Sequence, residues 1–288
     1  MKAGRVFDAH IHVQPWHMLR PEVAARMWNG RQDRDAILRV AQDPEALLRF
    51  LDTEGIDRAA LVNYVSPDVM GFTEEANDWA ACYVRGHERR LLAFGSVHPR
   101  YTKDPAGDVA RLRDAGICAL KVHPPHQLVQ ANDYVRGLDA QARIYERAQE
   151  LGMPIMVHTG TSVFPGARNR FADPMAVDDV ACDFPRLRIV LAHGGRPLYM
   201  ETCFFLLRRH ANVWIDVSGI PPRQLLEYFP RLESIAGKVL WGTDWPAPGV
   251  RSPRRNAEEF LALPLSESAK QRILWDNAES FFEQGEAA

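Results

Sequence analysis

Eight short apolar runs rich in Val, Ile and Leu recur along the chain, near residues 6–13, 59–65, 91–98, 117–123, 154–158, 187–193, 212–217 and 238–244. Each is followed by a polar or Gly/Pro break and then by a stretch of helical periodicity, which reads as repeated βα units. The amphipathic stretches include 44–51, 77–87, 139–151 and 200–209, with stop signals at Glu54-Gly55 and Leu151-Gly152. Right-handed crossovers make consecutive parallel strands neighbours, so eight such units in 288 residues close most economically into a (β/α)8 TIM barrel. A doubly wound open sheet is the competing architecture, but the first strand lacks the GxGxxG turn that sheet often carries. No composition shift or linker divides the chain, so residues 1–288 read as a single domain. The segment 14–43 after the first strand, with Trp16, His17, Met18 and Trp28, reads as a long βα loop that forms a lid or substrate wall.

Charge narrows the function. There are 35 basic against 37 acidic residues, a net charge of -2, which supplies no field for nucleic acid or an anionic membrane surface. No apolar run approaches the roughly 18 residues of a spanning helix. The start, Met1 to Val6, passes into the first strand with no leader-like apolar region, so a cytoplasmic protein is expected. Cys82, Cys118, Cys182 and Cys203 are widely spaced within apolar segments, and free, buried thiols are the expectation.

The chemistry lies at the strand ends. Asp8-Ala9-His10-Ile11-His12 ends the first strand, His158 the fifth, His193 the sixth and Asp244 the eighth. In a barrel these ends converge on one face, where active sites are built. Side chains alternate with period two along a strand, so His10 and His12 point the same way. Two imidazoles in one mouth can chelate an ion. His158 and Asp244 would complete a nitrogen and oxygen set suited to one divalent metal, zinc first, with Mn2+ or another divalent ion as alternatives. Asp8 shares the His10 face by the same alternation, and reads either as a carboxylate orienting an imidazole or as a buried cap on local amides.

Asp8-Ala9-His10-Ile11-His12, Met156-Val157-His158-Thr159-Gly160, Leu191-Ala192-His193-Gly194-Gly195 and Leu240-Trp241-Gly242-Thr243-Asp244-Trp245-Pro246 resemble the strand-one, -five, -six and -eight motifs of the amidohydrolase superfamily. More narrowly they resemble the branch containing aminocarboxymuconate semialdehyde decarboxylase, resorcylate-type decarboxylases and several lactone and C–C bond hydrolases. Ile273-Leu274-Trp275-Asp276-Asn277-Ala278 is similar to the closing segment of that branch. The resemblance implies that His10, His12, His158 and Asp244 bind the catalytic metal and that His193 is a nearby acid, base or carbonyl polariser. It also implies a single ion, so that Lys121 is not a carboxylated bridge between two.

Lys121 and His123 face the same way on the fourth strand, and the chain has only five lysines. Lys121 therefore either contacts the metal site or a substrate carboxylate, or pairs with a core acid such as Asp8. Arg168, Arg170 and Arg196 follow the fifth and sixth strands, where a guanidinium could clamp a carboxylate. Trp16 and Trp245 are expected to flank the substrate, and His98 and His126 are lesser mouth candidates. The reading is a metal-dependent hydrolase, a homodimer by analogy with relatives, opening an amide, lactone or C–C bond in a small carboxylated substrate. Asp244 would take a proton from a water that the metal acidifies. The alternatives are non-oxidative decarboxylation of an aromatic or unsaturated acid, and a barrel that binds a metal or ligand without turnover.

Overall fold

The computed structural model describes residues 4–247 and 249–283. Met1, Lys2 and Ala3, part of the start read above, lie outside the described residues. Eight parallel strands follow in chain order: β1 (Phe7–Ile11), β2 (Arg58–Leu61), β3 (Leu91–Gly95), β4 (Ala119–Val122), β5 (Ile155–His158), β6 (Ile189–Ala192), β7 (Val213–Asp216) and β8 (Val239–Leu240). Each pairs with the next. The ring closes from β8 to β1 through Ala9 N to Trp241 O (2.9 Å), Asp244 N to His10 O (2.8 Å) and His12 N to Trp245 O (2.6 Å). This is the (β/α)8 barrel expected from the repeat.

Alternate strand residues divide between two cores. Phe7, Ala9, Ala60, Val62, Phe94, Ala119, Met156 and Val190 form an inner cluster stopped at one end by Trp275, Phe281 and Phe282. Their strand neighbours, such as Ala59, Leu61, Leu120, Ile155 and Val157, pack outward in the cluster that includes the helices. Period two carries the inner phase from Ala119 to Lys121, from Met156 to His158 and from Trp214 to Asp216.

Strand β1 departs from that alternation. Its register with β2 shifts between Asp8 and Ile11, so Phe7 and Ala9 share the inner cluster while Ile11 packs outward. A bulge of this kind re-aims a side chain, and it puts His10 in the inner phase out of step with Asp8. The expected common face of Asp8 and His10 is thereby corrected. Asp8 instead accepts hydrogen bonds from Thr243 N (2.9 Å), Thr243 Oγ1 (2.6 Å) and His10 N (3.2 Å). It is the buried cap, tying β1 to the loop that carries Asp244.

The segment 14–43 is not an irregular loop. It holds a 3-10 turn, Trp16–Met18, and helices Pro21–Trp28 and Arg34–Gln42. Val23 with Met27, and Ile37 with Val40 and Ala41, give each helix one buried face. Asp43 then caps helix Pro44–Glu54, accepting from Glu45 N at 2.9 Å. Of the four cysteines, Cys82 and Cys182 are exposed, Cys118 is half-buried and Cys203 alone is buried. The expectation of buried cysteines fails because Cys82 falls on the solvent side of helix Glu75–Val84, whose buried positions include Ala76, Ala80, Tyr83 and Val84. Among the described residues no helix is long and apolar enough to cross a membrane.

Candidate active site

At the carboxyl ends of the strands His10, His158, His193, Lys121, Asp216 and Asp244 are all buried. The His10 ring lies 5.0 Å from the His12 ring and 4.8 Å from that of His193, between centroids, and the His193 ring lies 4.7 Å from His158. His12 Nε2 is 3.1 Å from Asp244 Oδ1, and His10 Nε2 is 3.7 Å from the same oxygen. One ligand atom each from His10, His193 and Asp244 fall within 4.8 Å of one another. His193 and Asp244 both hold positive φ, +65° and +66°. This conformation is sparsely populated for residues other than glycine and concentrates at functional sites.

The tautomers are set by the atoms behind the rings. His10 Nδ1 is 2.9 Å from Asp216 Oδ2, and His12 Nδ1 is 2.9 Å from the Val62 carbonyl. Both acceptors lack protons, so each Nδ1 carries a hydrogen and each ring turns its Nε2 toward Asp244, the orientation of a metal-ligating imidazole. His10 Nε2 and His158 Nε2 are buried without a hydrogen-bond partner. Burial lowers the pKa of His10 to about 4, and drives those of His158 and His193 well below the ordinary value, helped by Lys121 and Arg196. Burial alone would raise the Asp244 carboxyl, but the His12 hydrogen bond and the nearby His12, His10 and Arg196 hold it at about 2. Neutral imidazoles with orphaned lone pairs beside an ionised carboxylate fit a divalent cation.

His193 Nδ1 sits 3.0 Å from the Ser218 carbonyl and 2.9 Å from Ser218 Oγ. A carbonyl only accepts, so the neutral ring presents an unprotonated Nε2. In that tautomer it is an acceptor or ligand, and donates to a substrate oxygen only once it has taken up a proton.

Asp216 and Ser218 were not singled out from sequence. Ser218 Oγ donates to Asp216 Oδ1 and lies 3.1 Å from His10 Nδ1, while His193 N donates to Asp216 Oδ1 at 3.2 Å. The signal was available, since Asp216 is a polar residue ending an apolar strand, as His158 is. Asp216→Ala is expected to weaken divalent-metal affinity about 10- to 100-fold with the fold intact, as a metal titration followed by calorimetry would measure. Unchanged affinity would show that Asp216 does not orient His10.

A cavity opens above these residues, with an empty volume of about 800 Å³ including its mouth. One wall is apolar and comes from the segment 14–43, through Trp16, Leu19, Val23 and Met27; Tyr64, Met70 and Phe164 line it too. His12, Lys121, His123, His126, His158, His193, Arg196 and Asp244 supply its polar surface. Lys121 Nζ is buried without a hydrogen-bond partner, which removes the expected alternative of pairing with Asp8. Burial lowers its pKa to about 8 while Asp216 and Asp244 hold it up. Arg196 Nη2 is 3.4 Å from Asp244 Oδ2. A Cβ at Gly219, which has φ +68°, would stand 2.8 Å from that guanidinium and 3.0 Å from Asp244 Oδ2, so only glycine leaves this pair in place.

Three expected substrate contacts lie elsewhere. Arg168 is exposed and does not line the cavity, because only its backbone amide turns inward, to Pro125 O at 3.0 Å. Arg170 is exposed over the Phe171 ring. Trp245 packs on Phe50 at 4.6 Å between ring centroids, leaving Pro246 and Ala247 at the cavity. His98 and His126 are both buried, not solvated, and only His126 reaches the cavity.

A family model described as Amidohydrolase matches residues 7–284. No curated protein sequence matches the chain. Similar solved structures include an uncharacterized TIM-barrel protein from Bordetella bronchiseptica, with TM-score 0.77, 20% identity, and 98% of this chain and 100% of that chain covered. The 5-carboxyvanillate decarboxylase from Sphingomonas paucimobilis has TM-score 0.69 and 18% identity, over 98% and 99%. The 5-carboxyvanillate decarboxylase from Novosphingobium aromaticivorans, complexed with manganese and 4-hydroxy-3-methoxy-5-nitrobenzoic acid, has TM-score 0.65 and 16% identity, over 97% and 95%.

Proposed function

The chain belongs to the amidohydrolase family, and from that we propose that it is a metal-dependent hydrolase of a small carboxylated substrate with an amide, lactone or C–C bond to open. One divalent ion would be held by His10, His12, His158 and Asp244. When bound, it lowers the pKa of a coordinated water and polarises a substrate oxygen. The donor chemistry suits zinc, and the manganese in the Novosphingobium enzyme makes Mn2+ the second choice. The observation that carries the proposal is Asp244, an ionised carboxylate with one oxygen toward His12 and His10 and the other toward Arg196 and the cavity. It takes a proton from the attacking water and delivers it to the leaving group. His193 Nε2, unprotonated in the neutral ring, accepts a hydrogen bond from the attacking water and so orients it for proton transfer to Asp244. Lys121 and Arg196 hold the carboxylate, with Trp16 against the substrate body.

A panel of carboxylated lactones and amides, assayed with the metal-loaded protein, tests the reading through acid release. Decarboxylation is the second reading, favoured by the apolar wall beside a cationic floor, which fits a flat unsaturated acid, and by the two similar decarboxylase structures. It predicts CO2 release instead. No turnover on either panel leaves the third reading, a binding barrel. A cytoplasmic location, expected from the sequence, and a homodimer, expected by analogy with relatives, complete the proposal.

Lys121→Met and Arg196→Ala are each expected to raise KM about tenfold or more, as loss of a charged hydrogen bond implies, whereas Arg168→Ala leaves it unchanged. In the wild type KM should climb above pH 8 as Lys121 loses its charge, since only the ammonium attracts a carboxylate. Equal KM values for all three variants would remove the carboxylate clamp.

A further inference from the structure

The cavity carries a hydrogen-bonded chain that the proposed reaction does not use. His126, in the short helix Pro124–Gln127, is buried; its Nδ1 is 2.9 Å from Tyr64 Oη and its Nε2 2.7 Å from Ser162 Oγ. The ring is fixed in plane by stacking on His123, 3.6 Å away at 9°, and its carbonyl accepts from Ser66 Oγ at 2.9 Å. Tyr64, His126 and Ser162 all line the cavity. Burial and the Lys121 and His12 charges keep the imidazole neutral, with its pKa near 3.

The proton count is decisive. A neutral imidazole has one N–H, and each hydroxyl has one O–H, so three protons serve two internal links. If Nε2 carries the hydrogen, it donates to Ser162, Tyr64 donates to Nδ1, and the Ser162 proton is left over. If Nδ1 carries it, the Tyr64 proton is left over. Among the described residues the Tyr64 hydroxyl has no other partner, and Ser162 Oγ otherwise only accepts, from Phe164 N at 3.3 Å. One O–H is therefore always without a protein partner on the cavity wall, open to the oxygen of a bound ligand.

We propose that Tyr64, His126 and Ser162 form a substrate subsite for a hydroxyl or carbonyl oxygen separate from the carboxylate at Lys121 and Arg196. The inference rests on the carboxylate-binding reading above. An uncharged oxygen suits it because the chain itself carries no charge, and the two tautomers let either wall hydroxyl donate. The substrates it selects are oxygenated carboxylic acids, not plain hydrocarbon acids.

Calorimetric titration of the metal-loaded protein with benzoate, 3-hydroxybenzoate and 4-hydroxybenzoate tests this, since neither hydroxyl can chelate an ion that holds the carboxylate. One hydroxybenzoate should bind about fivefold or more tighter than benzoate, the range for one hydrogen bond. The preference should shrink in Ser162→Ala, on a half-exposed loop, and vanish in Ser162→Ala/Tyr64→Phe, with benzoate affinity unchanged. A preference absent from the wild type, or retained in the double variant, overturns the subsite. Failure of the underlying reading looks different: benzoate would bind Lys121→Met and Arg196→Ala as well as the wild type, or would not bind at all.

Discussion

Asp244→Asn is expected to lower kcat by about 10²- to 10⁴-fold, the usual contribution of general-base catalysis, while the barrel stays folded and much of the metal stays bound. An amide cannot accept a proton from water. It also turns either a donor NH2 toward Arg196, 3.4 Å from Oδ2, or one toward His12 Nε2, 3.1 Å from Oδ1, whose lone pair it would occupy. His10, His12 and His158 remain, and three histidines suffice to hold a catalytic zinc. The loss should fall on kcat and not KM, because proton transfer is exercised in the transition state. Rates measured beside metal content decide it. Near wild-type kcat with metal in place would make Asp244 a ligand only and give precedence to decarboxylation, in which the ion orients a carboxylate.

Stripping the protein with a chelator is expected to abolish turnover, and adding back one equivalent per chain of Zn2+ or Mn2+ to restore it. Without the ion, attacking water keeps a pKa near 15.7 instead of about 7, and no residue of the cavity compensates for so large a change. His10 Nε2 and His158 Nε2 would also be left buried with no partner. Elemental analysis with activity assays makes the measurement. Full activity at metal content near zero would sink the metal-dependent reading, and a crystal structure with a carbamate on Lys121 bridging two ions would sink the single-ion form. The relation of Lys121 to the inner cluster makes that a real test, since Ala119 places it in the barrel interior.

Both predictions trace to residues legible before any coordinates. His158 and Asp244 announce themselves as polar groups ending apolar runs, and a βα repeat leaves strand ends only one face on which to converge. Asp216 obeys the same rule and was passed over. Arg168 and Trp245 were misplaced because loops do not share the period of strands: whether a loop side chain turns inward depends on packing partners far away in sequence, Phe50 in the case of Trp245.

The sequence by itself determined the eight-unit barrel and the residues at its mouth, because period-two burial and right-handed crossovers are local rules that repeat. The tertiary structure decided the phase of β1. A bulge between Asp8 and Ile11 separates Asp8 from His10, and no residue type in Asp-Ala-His-Ile-His marks it, since it is set by register against β2 and by Thr243 across the closing seam. It decided the tautomers as well. The proton on His10, His12 and His193 is placed by Asp216, the Val62 carbonyl and Ser218, partners 206, 50 and 25 residues away. Hydrogen-bond partners at such separations exist only once the barrel has closed.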